Sequence, residues 1–149
     1  MAMGKRCGAA LAVMTMALLA GCDSGPNSIG AIVYDPTGLA FSHRMKDDRT
    51  LNVAVGLGGF DSRFAHGHVD YIMYFDPVSQ GDWNPYWGLG VGYLGTLDDT
   101  ADDNDIGIGL RVPLGISYQD EGWDFFAQLA AHIGAHTGIT GAIGVRFDL

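Results

Sequence analysis

Positive charge is scarce in this chain, with eight Lys and Arg against seventeen Asp and Glu and a net charge of −9 over 149 residues. Nucleic-acid binding draws on clustered Lys and Arg, so this balance argues against it. Long apolar runs are missing as well. The apolar stretch Leu11 to Ala20 falls well short of the ~20 residues that a membrane-crossing helix needs. Cysteine is nearly absent, with Cys7 and Cys22 the two in the sequence. A disulfide framework therefore cannot hold the fold. Glycine, by contrast, is abundant at 23 residues, too many for helical packing and suited to strands whose backbones approach closely.

The amino-terminal segment reads as a targeting signal rather than as fold. Lys5 and Arg6 give it a basic start, and Leu11 to Ala20 has the length of a secretory h-region. The next residues, Leu19-Ala20-Gly21-Cys22, resemble the lipobox at which bacterial lipoprotein signal peptides are cut. That resemblance implies a signal peptide over 1–21, with Cys22 as the first mature and lipidated residue. Cys7 leaves with the signal, and lipidation accounts for the odd thiol that remains. Removal also takes two of the eight basic residues, leaving six against seventeen acids, a net charge of −11. Residues 22–27 form a short tether with Gly25 and Pro26, and 28–149 make one domain.

Within that domain the dominant signal is period-2 alternation. From Ile139 to Leu149 the odd positions are apolar apart from Gly141, and the even ones carry Thr, Ala, Gly, Arg and Asp. Side chains on a strand alternate between faces, so one face is apolar and the other small or polar. Eight strands are expected: 28–34, 39–46, 50–60, 66–75, 86–97, 106–119, 123–135 and a last one following Thr137-Gly138. Asp35-Pro36-Thr37-Gly38 reads as a type I turn between the first two. The longest connection is expected at Asp76 to Pro85, and an acidic loop at Asp98 to Asp105. Short, regular spacing implies an all-β, eight-stranded, antiparallel up-and-down barrel.

Which face of the barrel meets solvent follows from the bulk of the side chains. A soluble barrel of the lipocalin kind places bulky apolar residues inside and charge outside. Here the second face is mostly Gly, Ala, Ser and Thr with occasional charge, which fits the inside of a narrow barrel and leaves the apolar face to lipid. Trp87, Tyr93, Tyr71, Phe75, Trp123, Phe125, Tyr118 and Phe147 fall on that apolar face, many near strand ends, as membrane-interface girdles require. Eight strands leave an interior that side chains fill, so no open channel is expected.

By this pattern the mature sequence resembles the small outer-membrane barrels of the OmpA and OmpX type. Gly144-Val145-Arg146-Phe147-Asp148-Leu149 is similar to their C-terminal assembly signal, with Leu149 in place of the usual terminal aromatic. Gly30-Ala31-Ile32, Pro36-Thr37-Gly38-Leu39 and Arg111-Val112-Pro113-Leu114-Gly115 also look like an uncharacterised bacterial family of small barrels, a likeness that implies no activity. The resemblance implies a bacterial outer-membrane location, with membrane lipids and the outer-membrane assembly machinery as partners. Asp23 conflicts, because in enteric bacteria an aspartate after the lipidated cysteine favours the inner membrane; the barrel pattern outweighs it.

Candidate chemistry is sparse. The interior is expected to hold Arg44, His68, Asp70, Tyr74, Arg111, Gln119, Gln128, His132, Arg146 and Asp148. Buried charges persist only when paired and hydrogen-bonded, so Arg111 and Arg146 are expected to find Asp70 or Asp148. His66 with His68, and His132 with His136, could approach one end of the barrel, but on strands that are not neighbours and without Cys or Glu, so no metal is expected. Asp98, Asp99, Asp102, Asp103 and Asp105 lack an EF-hand arrangement and read as a solvated loop. Ser42 and His43 are sequence neighbours that point to opposite faces, which rules them out as a nucleophile and base. No catalytic residue and no cofactor is expected. A structural or interaction role leads, ahead of a lipid-anchored soluble periplasmic barrel binding a small apolar ligand, and of a lipid A-modifying barrel enzyme.

Overall fold

The computed structural model describes residues 27–34, 36–58, 64–96, 106–134 and 137–149. The segment 1–22 expected to hold a signal peptide and lipobox, the acidic stretch 98–105 and His136 lie outside these residues. Eight strands follow one another in sequence: β1 Asn27–Tyr34, β2 Thr37–Lys46, β3 Arg49–Leu57, β4 Phe64–Tyr74, β5 Trp83–Thr96, β6 Ile106–Asp120, β7 Trp123–Gly134 and β8 Gly138–Asp148. Each pairs antiparallel with the next, and β1 closes on β8 from Ser28↔Asp148 to Tyr34↔Ala142. The sheet is therefore an all-β closed meander without a free edge, the arrangement the alternation implies.

Sequence parity sets which residues face inward. In β1 to β5, β7 and β8 the even positions are the buried ones, apart from His43 and Gly95, and in β6 the odd ones are. The exchange follows from register, since Gly90 pairs with Arg111 and Gly115 with Gln128. Paired residues share a face, so an even position on β5 commits an odd one on β6. Large apolar side chains on the other face stay exposed, among them Leu39, Leu89, Leu110, Leu114, Leu129 and Ile143.

Several boundaries differ from the sequence expectation. Thr37 and Gly38 are not turn residues but the start of β2, paired with Leu57 and Gly56. Tyr34 takes a positive φ of 105°, and its amide donates to Thr37 Oγ1 at 3.0 Å, so the chain reverses before the expected turn ends. Gly38 is needed as a strand glycine: a Cβ there would lie 2.2 Å from the Val55 carbonyl oxygen. Asn27, read as tether, belongs to β1. β5 begins at Trp83, which shortens the connection from β4 to 75–82 and leaves 97–105 as the longer one.

That 75–82 connection folds over one mouth of the barrel. Val78 N donates to Asp47 O at 3.0 Å at the β2–β3 turn, and Gly81 N to Gln119 O at 2.6 Å at the end of β6. Val78 packs against the buried Ile72, Tyr74 and Tyr86. The same mouth carries the ends Asn27 and Leu149, joined by a 2.7 Å bond from Leu149 N to Asn27 O. A second apolar cluster, Ile32, Ala40, Ala54, Phe126 and Ala142, fills the interior between β1, β2, β3, β7 and β8.

Candidate functional site

The interior is a stack of polar clusters separated by apolar layers. Nearest the covered mouth, Arg146 on β8 donates from Nε to Asp124 Oδ2 at 3.1 Å, from NH2 to the same oxygen at 2.5 Å, and from NH1 to Asn52 Oδ1 at 2.9 Å. Its guanidinium also lies 4.4 Å from the centroid of the Phe126 ring. Arg44 donates to Gln119 Oε1 at the same end, and Ser28 and Ser42 share a 3.0 Å hydroxyl bond. Three donors in a fixed fork suit a buried arginine, because each N–H left without an acceptor in low dielectric is costly. Above this layer Tyr86 donates to Gln128 Oε1 at 3.2 Å, and its ring meets Tyr74 edge-on at 5.5 Å.

Toward the other mouth lies a second ionic cluster. Arg111 Nε stands 3.3 Å from Asp70 Oδ2, and His68 Nε2 stands 3.5 Å from the same oxygen, all three side chains at most 2% exposed. Asp70 has room because β5 carries Gly90 opposite, where a Cβ would meet Asp70 Oδ1 at 2.0 Å. His66 lies above, with ring centroids 5.7 Å from His68 and 5.7 Å from His132. Thr140 Oγ1 fixes His132 Nε2 at 2.9 Å. A cavity of about 120 Å³ opens beside His66, His132 and Thr140 at this end.

The sequence reading therefore meets a mixed outcome in detail. Arg111 finds Asp70, whereas Arg146 finds Asp124 instead of Asp148, which is only half-buried and whose backbone amide bonds Gly122 O at 2.8 Å. Asp124 shares parity with Gln128 and His132 on β7, a signal that could have found it. β4 and β7 are indeed not neighbours in the sheet, yet His66 and His132 meet, because an eight-stranded barrel is narrow enough for side chains to reach across it. Ser42 and His43 take separate partners, His43 Nδ1 pairing with Asn27 Oδ1 at 2.8 Å. Among the described residues no three His, Cys, Asp or Glu side chains converge on a point that could hold a metal ion.

A closed eight-stranded meander with charge inside and exposed aliphatic residues outside has the fold of the OmpA-type transmembrane barrel domain. No family model matches the chain, and no curated protein does. Among solved structures it is similar to the crystal structure of the N-terminal β-barrel domain of Pseudomonas aeruginosa OprF, with a TM-score of 0.72 and 19% sequence identity, over 85% of this chain and 98% of that one.

Proposed function

We propose that the chain is an outer-membrane β-barrel with a structural or interaction role, without an open conduit and without catalysis. One observation carries this: the outward face of the closed barrel is apolar, while Arg111, Arg146, Asp70 and Asp124 are buried within. Such a surface is stable in hydrocarbon, where a barrel leaves no backbone group unpaired. Aromatic residues ring one end, Trp83 against Tyr118 at 5.2 Å and Trp123 against Phe147 at 5.2 Å between centroids. Ring girdles of this kind mark a membrane–water interface. Beside the 75–82 connection, the same end carries the two-residue turns at 47–48 and 121–122, and barrels of this class place short turns in the periplasm. The opposite end, where β3, β5 and β7 finish, then faces the cell exterior, and Cys22, lipidated, anchors the chain from the periplasmic side. The outer-membrane assembly machinery inserts the barrel, reading its last strand.

A tethered lipocalin-like binder requires a sizeable apolar cavity inside, and here ion pairs and packed apolar layers occupy the core instead. The test is gel mobility of the full chain from outer-membrane fractions, heated and unheated in SDS. A shift on heating is the expected result; no shift, with release into the soluble fraction on Cys22→Ser, would return the soluble reading.

A further inference from the structure

The β2–β3 hairpin breaks the parity that governs the rest of its strands. Arg44 pairs with Thr50, but a bulge at Met45 then shifts the register, so that Lys46 pairs with Arg49. Without the extra residue Lys46 would follow Ser42 and Arg44 into the barrel; with it, Lys46 is exposed on the side of Arg49. Like charges directly opposite each other on paired strands are unfavourable, so the bulge creates a cost of its own. Asp48 answers part of it, its Oδ2 lying 3.5 Å from Arg49 Nε. Arg49 also donates from NH1 to the Tyr71 hydroxyl at 3.4 Å. Among the described residues no carboxylate pairs with Lys46. Beside Lys46 lies an open cleft of opposite character, lined by Asp47, Asp76 and the exposed Phe75 ring. One cleft thus holds a cation and two carboxylates, at the end of the barrel that carries the aromatic pairs.

We propose that this cleft seats the head group of an ethanolamine phospholipid, its phosphate on Lys46 and Arg49 and its ammonium on Asp47 and Asp76. A phosphate between the two cations accepts charge-assisted bonds from both and relieves their repulsion. The ammonium end selects the lipid further. A primary ammonium carries three N–H donors for the carboxylates, whereas the quaternary ammonium of a choline head carries none. An anionic head without an ammonium leaves Asp47 and Asp76 unanswered and is repelled by them. The acyl chains run from the cleft along the outer face, past Leu51 and Tyr71, which are paired on β3 and β4. Met73, the partner of Arg49 on β4, and Met45 at the bulge are flexible side chains that adapt to such a chain.

The site rests on the membrane reading above, and the experiment separates the two. Native mass spectrometry of the full chain in detergent is run beside the heat-shift gel. The protein is titrated with phosphatidylethanolamine, phosphatidylcholine and phosphatidylglycerol of the same acyl chains. One ethanolamine lipid per barrel is expected, bound at least tenfold tighter than either of the others. Lys46→Gln with Arg49→Gln is expected to weaken that binding at least tenfold and to leave the heat shift intact, since both side chains are exposed. Asp47→Asn with Asp76→Asn is expected to bring the ethanolamine lipid down to the affinity of the choline lipid, whose own binding stays as in the wild type. No preference for the ethanolamine lipid, wild-type behaviour in either double variant, displacement by inorganic phosphate at equal concentration, or no adduct on a heat-shifting barrel would each overturn the proposal. Absence of the heat shift in the wild type would instead remove the membrane reading, and the proposal with it.

Discussion

At the scale of single residues, the interior is held by charges whose partners come from different strands. Arg146 joins β8 to Asp124 on β7 and to Asn52 on β3, and so ties neighbouring and distant parts of the wall through one side chain. Desolvating such a pair costs several kcal/mol per ion, and the mutual attraction offsets this only while both partners are present. Arg146→Leu leaves Asp124 buried without its cation, and a loss of ~3–5 kcal/mol is expected in urea unfolding from lipid vesicles, followed by tryptophan fluorescence. The double variant Arg146→Leu with Asp124→Leu is expected to regain most of that loss. A single variant within ~1 kcal/mol of wild type would mean that water reaches Asp124 and that the pair is not a structural tie. Parity made most of these residues legible in the sequence, Arg111 and Asp70 included. It could not select a partner for Arg146, because parity fixes the face and says nothing about the level along the barrel axis.

At the scale of strands, alternation located all eight elements, and the misplaced boundaries have a common cause. Thr37-Gly38 carries turn chemistry, and the sequence alone does not reveal that β2 approaches β3 so closely there that a glycine is demanded for contact instead of for a turn. Trp83 falls within the connection expected at Asp76 to Pro85, yet pairing with Tyr118 on β6 extends the strand to include it. Tertiary pairing overrode local preference in both cases. The register of the seam between β1 and β8 is what alternation cannot foresee, since the seam joins the two ends of the domain. Gly30 sits on it: a Cβ at this position would lie 1.8 Å from the Val145 carbonyl oxygen and 2.6 Å from Arg146 Cα, both backbone atoms of β8. Overpacking costs ~1–3 kcal/mol and more where backbone must move. Gly30→Val is therefore expected to reduce the heat-modifiable fraction at least twofold, whereas Ala31→Val, on the exposed face of the same strand, leaves it unchanged. Equal fractions for the two variants would show that the seam is slack enough to absorb a side chain.

At the scale of the whole molecule, the question is which solvent the outer surface was selected for, and a single substitution discriminates the alternatives. Leu114 lies near the middle of β6, paired with Trp87 and Leu129 and 60% exposed. In water, replacing a residue this exposed by arginine changes stability by less than ~0.5 kcal/mol in most cases. At the midplane of a bilayer, arginine on the outer face of a barrel costs ~2–4 kcal/mol, because its charge loses hydration and no partner stands nearby. The same substitution near either end of the barrel costs ~0–1 kcal/mol, so the penalty depends on depth as well as on charge. Leu114→Arg is thus expected to lower unfolding free energy in vesicles by ~2–4 kcal/mol, with Ile108→Arg, close to the loop end, costing ~0–1 kcal/mol. A soluble barrel would show no such gradient, since water is equally available along its length. Equal, small effects at both positions would put this surface in water, and the buried Arg146 and Arg111 would then hold together a periplasmic barrel with an apolar coat that needs a partner to cover it.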